Sequence, residues 1–355
     1  MSANNDTVPV RADQDGEHRD EQADASLAAS SAPRRILDAV GVQNVSLLIA
    51  LAVLVSLVGS RFPSFFSLAN YQVIGKAVSV IGILAVVETV VIILGGLDIS
   101  VGSAAGVGSV VTALVFMHTG SSSVIGILAA LGVGVLAGLV NGCVIVYGRV
   151  NPVVATLATL AAYKGVAQLI SDGRAQGYTG ADPVFVFIAR GAILGIPTLI
   201  WIFVVVAGLA HLVLRYTDLG RNIYAIGGND TAARLAGINI NRYIIAVYAI
   251  TGLAAALAGV MITARTGSGQ PVSGSEGLEL QAVTAAALGG CALQGGRGTI
   301  AGTVLAVVLL GVLDNGITLF GVNPFWQNVA RGSLLVIAVV IQQLRNGERR
   351  VGMPT

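Results

Sequence analysis

Residues 72–94 read QVIGKAVSVIGILAVVETVVIIL and run directly into residues 95–103, GGLDISVGS. The first stretch is predominantly apolar, with Lys76 and Glu88 its only charges, and a helix of that length covers about 34 Å, enough to cross a bilayer. The second breaks the run with two glycines and a carboxylate. Glycine lets a helix stop, and Asp98 or Ser100 can then cap the free N–H groups of the next one. A lone charge at mid-bilayer costs roughly 2.5–3.5 kcal/mol on insertion scales, so Asp98 must face protein or water. This pair of stretches sets the reading of the whole chain: a membrane helix, a break, and another helix.

The composition agrees. Of 355 residues, 55% are apolar, 11% are charged and 46 are glycine, against about 25% charged in soluble domains. Seven of the 18 acidic residues fall within the first 24 positions, so the remainder could not coat a soluble domain of this size. Lipid must face most of it. Ten crossings are expected, at about 44–60, 72–94, 99–118, 122–148, 151–171, 197–214, 243–264, 279–296, 299–320 and 328–344. Glycines interrupt the third and eighth. The fold class is an all-α membrane protein, a polytopic bundle of about ten transmembrane helices (8–10) with internal duplication.

Residues 1–35 read as a disordered, acidic cytoplasmic tail, polar and without the apolar core of a cleaved signal peptide. Residues 36–350 form the transmembrane domain, with Val45–Gly59 serving as a signal anchor. With the N-terminus inside, the inner loops hold Arg34, Arg35, Arg149, Arg215, Arg221, Arg234, Arg242, Arg297, Arg345, Arg349 and Arg350. The outer loops hold Arg61, Arg174, Arg190 and Arg265. That imbalance puts both termini in the cytoplasm. The longest inner loop is 215–242 and the longest outer one 172–196.

The duplication shows as two echoes. Leu94-Gly95-Gly96 recurs 194 residues later as Leu288-Gly289-Gly290. Asn141-Gly142 followed by Val150-Asn151-Pro152 recurs as Asn315-Gly316 followed by Val322-Asn323-Pro324. Repeated halves around a central path are a transporter architecture. Gly102/Gly106, Ala104/Gly108, Gly134/Gly138 and Gly298/Gly302 have the four-residue spacing of close helix contacts. Glu88, Lys164, Asp314 and Arg331 lie inside crossings and need polar neighbours there. Cys143 and Cys291, alone in apolar segments, read as packing residues.

Within the inner loop, Gly228–Ile238 reads as a short helix with Asn229 or Asp230 as its cap and Gly237 as its end. No phosphate loop, metal-binding HExxH or CxxC pair occurs in the chain, and the three histidines are scattered. No catalytic site, cofactor or metal is expected, and no basic cluster suits nucleic acid.

Three motifs in this order, LGGLDISVGS (94–103), GGNDTAARLAGI (227–238) and LGGCALQGGRGTIAG (288–302), resemble permeases of ribose/xylose-type ABC importers, in the branched-chain amino acid/ribose permease superfamily. The resemblance runs from about Gln43 to Leu344. It implies a multi-pass inner-membrane subunit, a homodimer of it, a cytoplasmic ABC ATPase that hydrolyses the ATP, and an extracytoplasmic sugar-binding protein. It assigns ATPase coupling to Asn229, Asp230, Ala232, Ala233, Arg234 and Gly237. The matching break, with a polar path, would involve Gly95, Gly96, Asp98, Ser100, Ser103, Asn141 and Asn315. Other readings are a related permease for branched-chain amino acids or nucleosides, or an ion-coupled transporter using Glu88, Asp98 or Asp314.

Overall fold

The computed structural model describes residues 42–118, 122–177, 182–272, 275–323 and 325–346. The acidic tail, 1–35, lies outside them. The helices are α1 (Val42–Arg61), α2 (Leu68–Leu94), α3 (Val101–His118), α4 (Ser123–Tyr147), α5 (Pro152–Ile170), α6 (Pro183–Arg190), α7 (Thr198–Tyr216), α8 (Asp218–Gly228), α9 (Asp230–Leu235), α10 (Ile240–Thr266), α11 (Leu278–Leu288), α12 (Ile300–Leu319) and α13 (Phe325–Asn346). Two two-residue antiparallel ladders, Gln176–Gly177 with Ser268–Gly269 and Ala192–Ile193 with Ile196–Pro197, pin loops at the helix ends.

Eight of these helices are long and apolar enough to cross a membrane: α1, α2, α3, α4, α5, α7, α10 and α12. The expected crossings fall on them, and α11 and α13 take the places of the eighth and tenth. The eighth is shorter than the apolar pattern of 279–296 suggests. Helix α11 stops at Leu288, because Gly290 adopts a left-handed φ of 92° and Cys291 N–H turns back to the Ala286 carbonyl.

Residues from Leu47 onward make one packed unit. Helices α2, α3 and α10 are mostly buried, whereas α1, α5 and α7 are mostly exposed. A helix that is apolar all round belongs in the centre of such a bundle, which is where α2 sits, against α7, α10, α11 and α12. Helix α10 packs on α3 and α4, and glycine sets that spacing. A Cβ at Gly134 would lie 2.5 Å from the Gly252 carbonyl oxygen, and one at Gly138 would land on the Tyr248 carbonyl. With no side chain between them, the two backbones gain dispersion contact that lipid could not supply. Gly108 packs on the Ala256 backbone in the same way. The expected helix contact at Gly102/Gly106 has a different partner. These residues meet Pro271 and Ser275 of the stretch leading into α11 and Glu279 in its first turn.

The echoes are structural as well. At the end of α2, Gly95 takes φ 94° and Gly96 N–H turns back to Val91; at the end of α11, Gly290 and Cys291 do the same. The matching residues are thus 195 apart, one more than the letters suggest. In the second echo, Asn151 Oδ1 accepts Val153 N–H at 2.9 Å and Asn323 Oδ1 accepts Phe325 N–H at 2.9 Å. Both asparagines start a helix by the same capping bond.

Candidate functional site

The break between α2 and α3 is a closed polar knot. Asp98 Oδ1 accepts the Ser100 N–H at 2.9 Å and the Ser100 hydroxyl at 2.6 Å, which holds the turn that starts α3. Asn141, from α4, donates through Nδ2 to Ser100 Oγ at 2.8 Å and reaches Asp98 Oδ2 at 3.4 Å. Glu88, ten residues upstream on α2, accepts the Asp98 N–H through Oε1 at 3.1 Å. Two further helices bind the Leu97 carbonyl: Thr156 of α5 at 3.1 Å and Tyr248 of α10 at 3.3 Å. The Tyr163 hydroxyl stands 2.8 Å from the Ala137 carbonyl and 3.2 Å from Asn141 Oδ1.

Glu88, Asp98, Ser100 and Asn141 are all buried. A knot of this kind fixes a unique arrangement and admits no solute as it stands. Ser103 joins it, donating to the Ser100 carbonyl at 2.9 Å. Asn315 is not part of it. It pairs with Asn70 through two amide bonds of 2.8 and 3.1 Å, at the far end of α2. Glu88, Thr156, Tyr163 and Tyr248 complete the knot at the Asp98 N–H, the Leu97 carbonyl and Asn141, and of these only Glu88, a carboxylate inside an apolar run, carries a signal in the sequence.

The second region is the turn around α9. Asn229 caps it, accepting the Ala232 N–H at 2.9 Å. Gly237, at φ 83°, ends it, with its N–H on the Arg234 carbonyl and the Ile238 N–H on the Ala233 carbonyl. Ala233 is buried, while Asp230, Ala232, Arg234 and Gly237 are exposed. Beside this helix lies an open groove of about 840 Å³, lined by Arg149, Asn229, Asp230, Arg234, Asn241 and Gln294 among others.

The two regions touch through glycine. A Cβ at Gly227, at the end of α8, would fall on the Ile93 carbonyl, and one at Gly295 would stand 2.7 Å from the Gly227 oxygen and 2.9 Å from Gly95 Cα. Gly296 N–H donates to the Ile93 carbonyl at 2.8 Å. Three Gly-Gly pairs, 95–96, 227–228 and 295–296, therefore meet backbone to backbone. Tyr224 of α8 adds a bond from its hydroxyl to the Gly298 carbonyl at 2.8 Å. Burial pushes that phenol above its ordinary value, so it remains a donor.

Among the described residues, no group of three or more His, Cys, Asp and Glu side chains could hold a metal ion. Cys291 is buried beside the Thr89 and Thr303 hydroxyls.

Comparison with known proteins fits this geometry. Residues 73–339 match the family described as branched-chain amino acid transport system/permease component. The chain belongs to that family. It is 39% identical over 297 residues to the ribose import permease protein RbsC of Escherichia coli K12, covering 83% of this chain and 92% of that one. It is 36% identical over 304 residues to RbsC of Bacillus subtilis, with 86% and 94% covered. It is 36% identical over 331 residues to the L-arabinose transport system permease protein AraH of Escherichia coli K12, with 92% and 98% covered. No solved structure matches. The chain is a multi-pass membrane permease of the ABC importer class.

Proposed function

We propose that this chain is the membrane-spanning subunit of an ATP-driven importer that carries a pentose or related monosaccharide into a bacterial cell. The observation that carries this reading is the alignment with ribose and arabinose permeases over 83–92% of the chain. Two copies form the pathway in the inner membrane, with both termini in the cytoplasm. An extracytoplasmic binding protein delivers the sugar, and a separate ABC ATPase supplies the energy.

Helix α9 and the groove beside it are the docking element for that ATPase. The arrangement supports this because α9 is short, exposed on one side and buried through Ala233 on the other. A push on it passes through α8 to the Gly-Gly meeting point, and from there to the break that starts α3. ATP binding closes the motor and shifts the population of the bundle between inward- and outward-facing arrangements. The knot around Asp98 holds the break in one of them.

The test is reconstitution in vesicles with the ATPase and the binding protein. ATP-dependent uptake of a pentose, and none of leucine, is the expected result. Uptake of branched-chain amino acids would transfer the reading to that cargo. Uptake driven by an ion gradient with no ATPase present would overturn it. Orientation is read separately, from labelling of a cysteine placed at Thr231: it is expected only in opened cells, and labelling in intact cells would place α9 outside.

A further inference from the structure

Lys164 and Glu276 form an ion pair of 2.9 Å with side chains 38% and 65% exposed. Its depth makes it unusual. Lys164 lies eight residues beyond Thr156, which is bound to the break at Leu97, and six before the end of α5. At 1.5 Å per residue it stands about 12 Å from the break and about 9 Å from the end of the helix. Both charges therefore lie well inside the crossing, and neither is enclosed by the bundle.

The backbone that presents Glu276 gives a second, independent indication. The described part of 267–277 is non-helical. It descends along α3: Gly269 packs on Val110 and Ala113, Pro271 and Ser275 on Gly106, and Ser275 on Gly102. From Ala113 to Gly102 is eleven residues of α3, or about 16 Å of depth. Gln270 N–H is held on the way by Ser109 Oγ at 2.9 Å. Irregular backbone at membrane depth survives only where it is buried in protein or lines a water-filled cavity. Glu276 is too exposed for the first condition to cover it.

Hydrocarbon cannot solvate this face. A charged side chain against lipid costs several kcal/mol, and here a lysine and two carboxylates, Glu276 and Glu279, gather around one small cavity of about 90 Å³ with Ser103 and Ser275. We infer that the solute path runs along this face, between α5 and the described residues 267–272 and 275–277 of the descending segment, and that Ser103, Lys164, Ser275, Glu276 and Glu279 line it. Carboxylates, an ammonium group and hydroxyls are the groups that exchange hydrogen bonds with a polyhydroxylated solute passing through. This rests on the permease reading above, and it moves the path off the buried knot of Asp98, Ser100 and Asn141.

Cysteine labelling of the full chain in native membranes tests it, read above the background of the parent protein. Val166 is two residues from Lys164, nearly level with it, and about 200° around the helix. Lys164→Cys and Leu160→Cys, on the inferred path, are expected to react with a charged, water-soluble methanethiosulfonate at least about tenfold faster than Val166→Cys, because both reagent and thiolate lose hydration in hydrocarbon. Uniformly slow reaction at all three, as for an ion pair sealed by a second copy of the chain, overturns the inference. So does a fast reaction at 166 with a slow one at 160 and 164. Slow labelling in an importer that still takes up sugar removes the path alone. Fast labelling at 160 and 164 in one that takes up no sugar removes the cargo and keeps the water-lined face.

Discussion

Glu88 accepts the backbone N–H of Asp98 across ten residues of chain, so a carboxylate inside one crossing caps the turn that opens the next. Its second oxygen, Oε2, is buried without a hydrogen-bond partner among the described residues. Glu88→Gln keeps an acceptor for that N–H and carries no charge. Its unfolding midpoint in detergent is expected to lie within about 1 kcal/mol of the parent, whereas Glu88→Ala should lose at least about 1 kcal/mol more, for the orphaned N–H and the cavity. A glutamine variant less stable than the alanine variant would refute the capping role.

The glycine spacing between α4 and α10 gives a paired test. Gly138→Ala would drive a methyl into the Tyr248 carbonyl, while Gly132→Ala has nothing within 4 Å. The first is expected to cost about 1–3 kcal/mol by overpacking. The second should be neutral or gain up to about 1 kcal/mol from helix propensity. Thermal unfolding of the two variants side by side checks both values, and equal effects would mean that the backbones are not in contact.

Asp182 joins two helix starts. It caps α6 through Val184 and Phe185 N–H and accepts both the hydroxyl and the N–H of Ser123 at the start of α4. These donors, the Ser123 hydroxyl above all, hold its carboxyl below the usual value. Its contribution is therefore fully present above the ordinary carboxylate pKa of about 4 and is lost as pH falls through the lower folded value. Asp182→Asn should lower the melting temperature at neutral pH and flatten the fall below about pH 4, so that the two profiles converge in acid. An unaltered acid limb would show that another group controls it.

Coupling is tested at the end of α9. Proline cannot adopt φ 83° and has no N–H for the Arg234 carbonyl. In the reconstituted importer, Gly237→Pro and Arg234→Glu are each expected to cut uptake by at least about tenfold while ATP hydrolysis continues, a typical coupling energy. Normal transport by both variants would remove α9 from the pathway of force.

Most of the bundle was legible because lipid demands long apolar runs, and eight of ten expected crossings are full helices. What the letters hide is how glycine is used. Leu94-Gly95-Gly96 and Leu288-Gly289-Gly290 look alike, yet the left-handed residue is the first glycine in one and the second in the other. Asn141 and Asn315 share an echo, yet one joins the Asp98 knot and the other pairs with Asn70. A partner decided by tertiary packing leaves no mark on local sequence. The stretch 267–277 is rich in glycine and serine with one proline, and nothing in its composition says that its described residues dip beside α3. Only the small residues at Gly102 and Gly106 hinted at a neighbour, and they pointed to a helix.

The meeting of Gly95, Gly227 and Gly295 has a mechanical consequence. Side chains at a joint hop between rotamers and soak up small displacements, but here there are none to do so. Whatever distance Gly227 travels must be handed on to the Ile93 carbonyl in full. Under the proposed coupling the joint is a stiff linkage without backlash, so bulk added at any of these three positions should spoil timing between motor and pore even where the chain still folds and the separate ATPase still hydrolyses ATP.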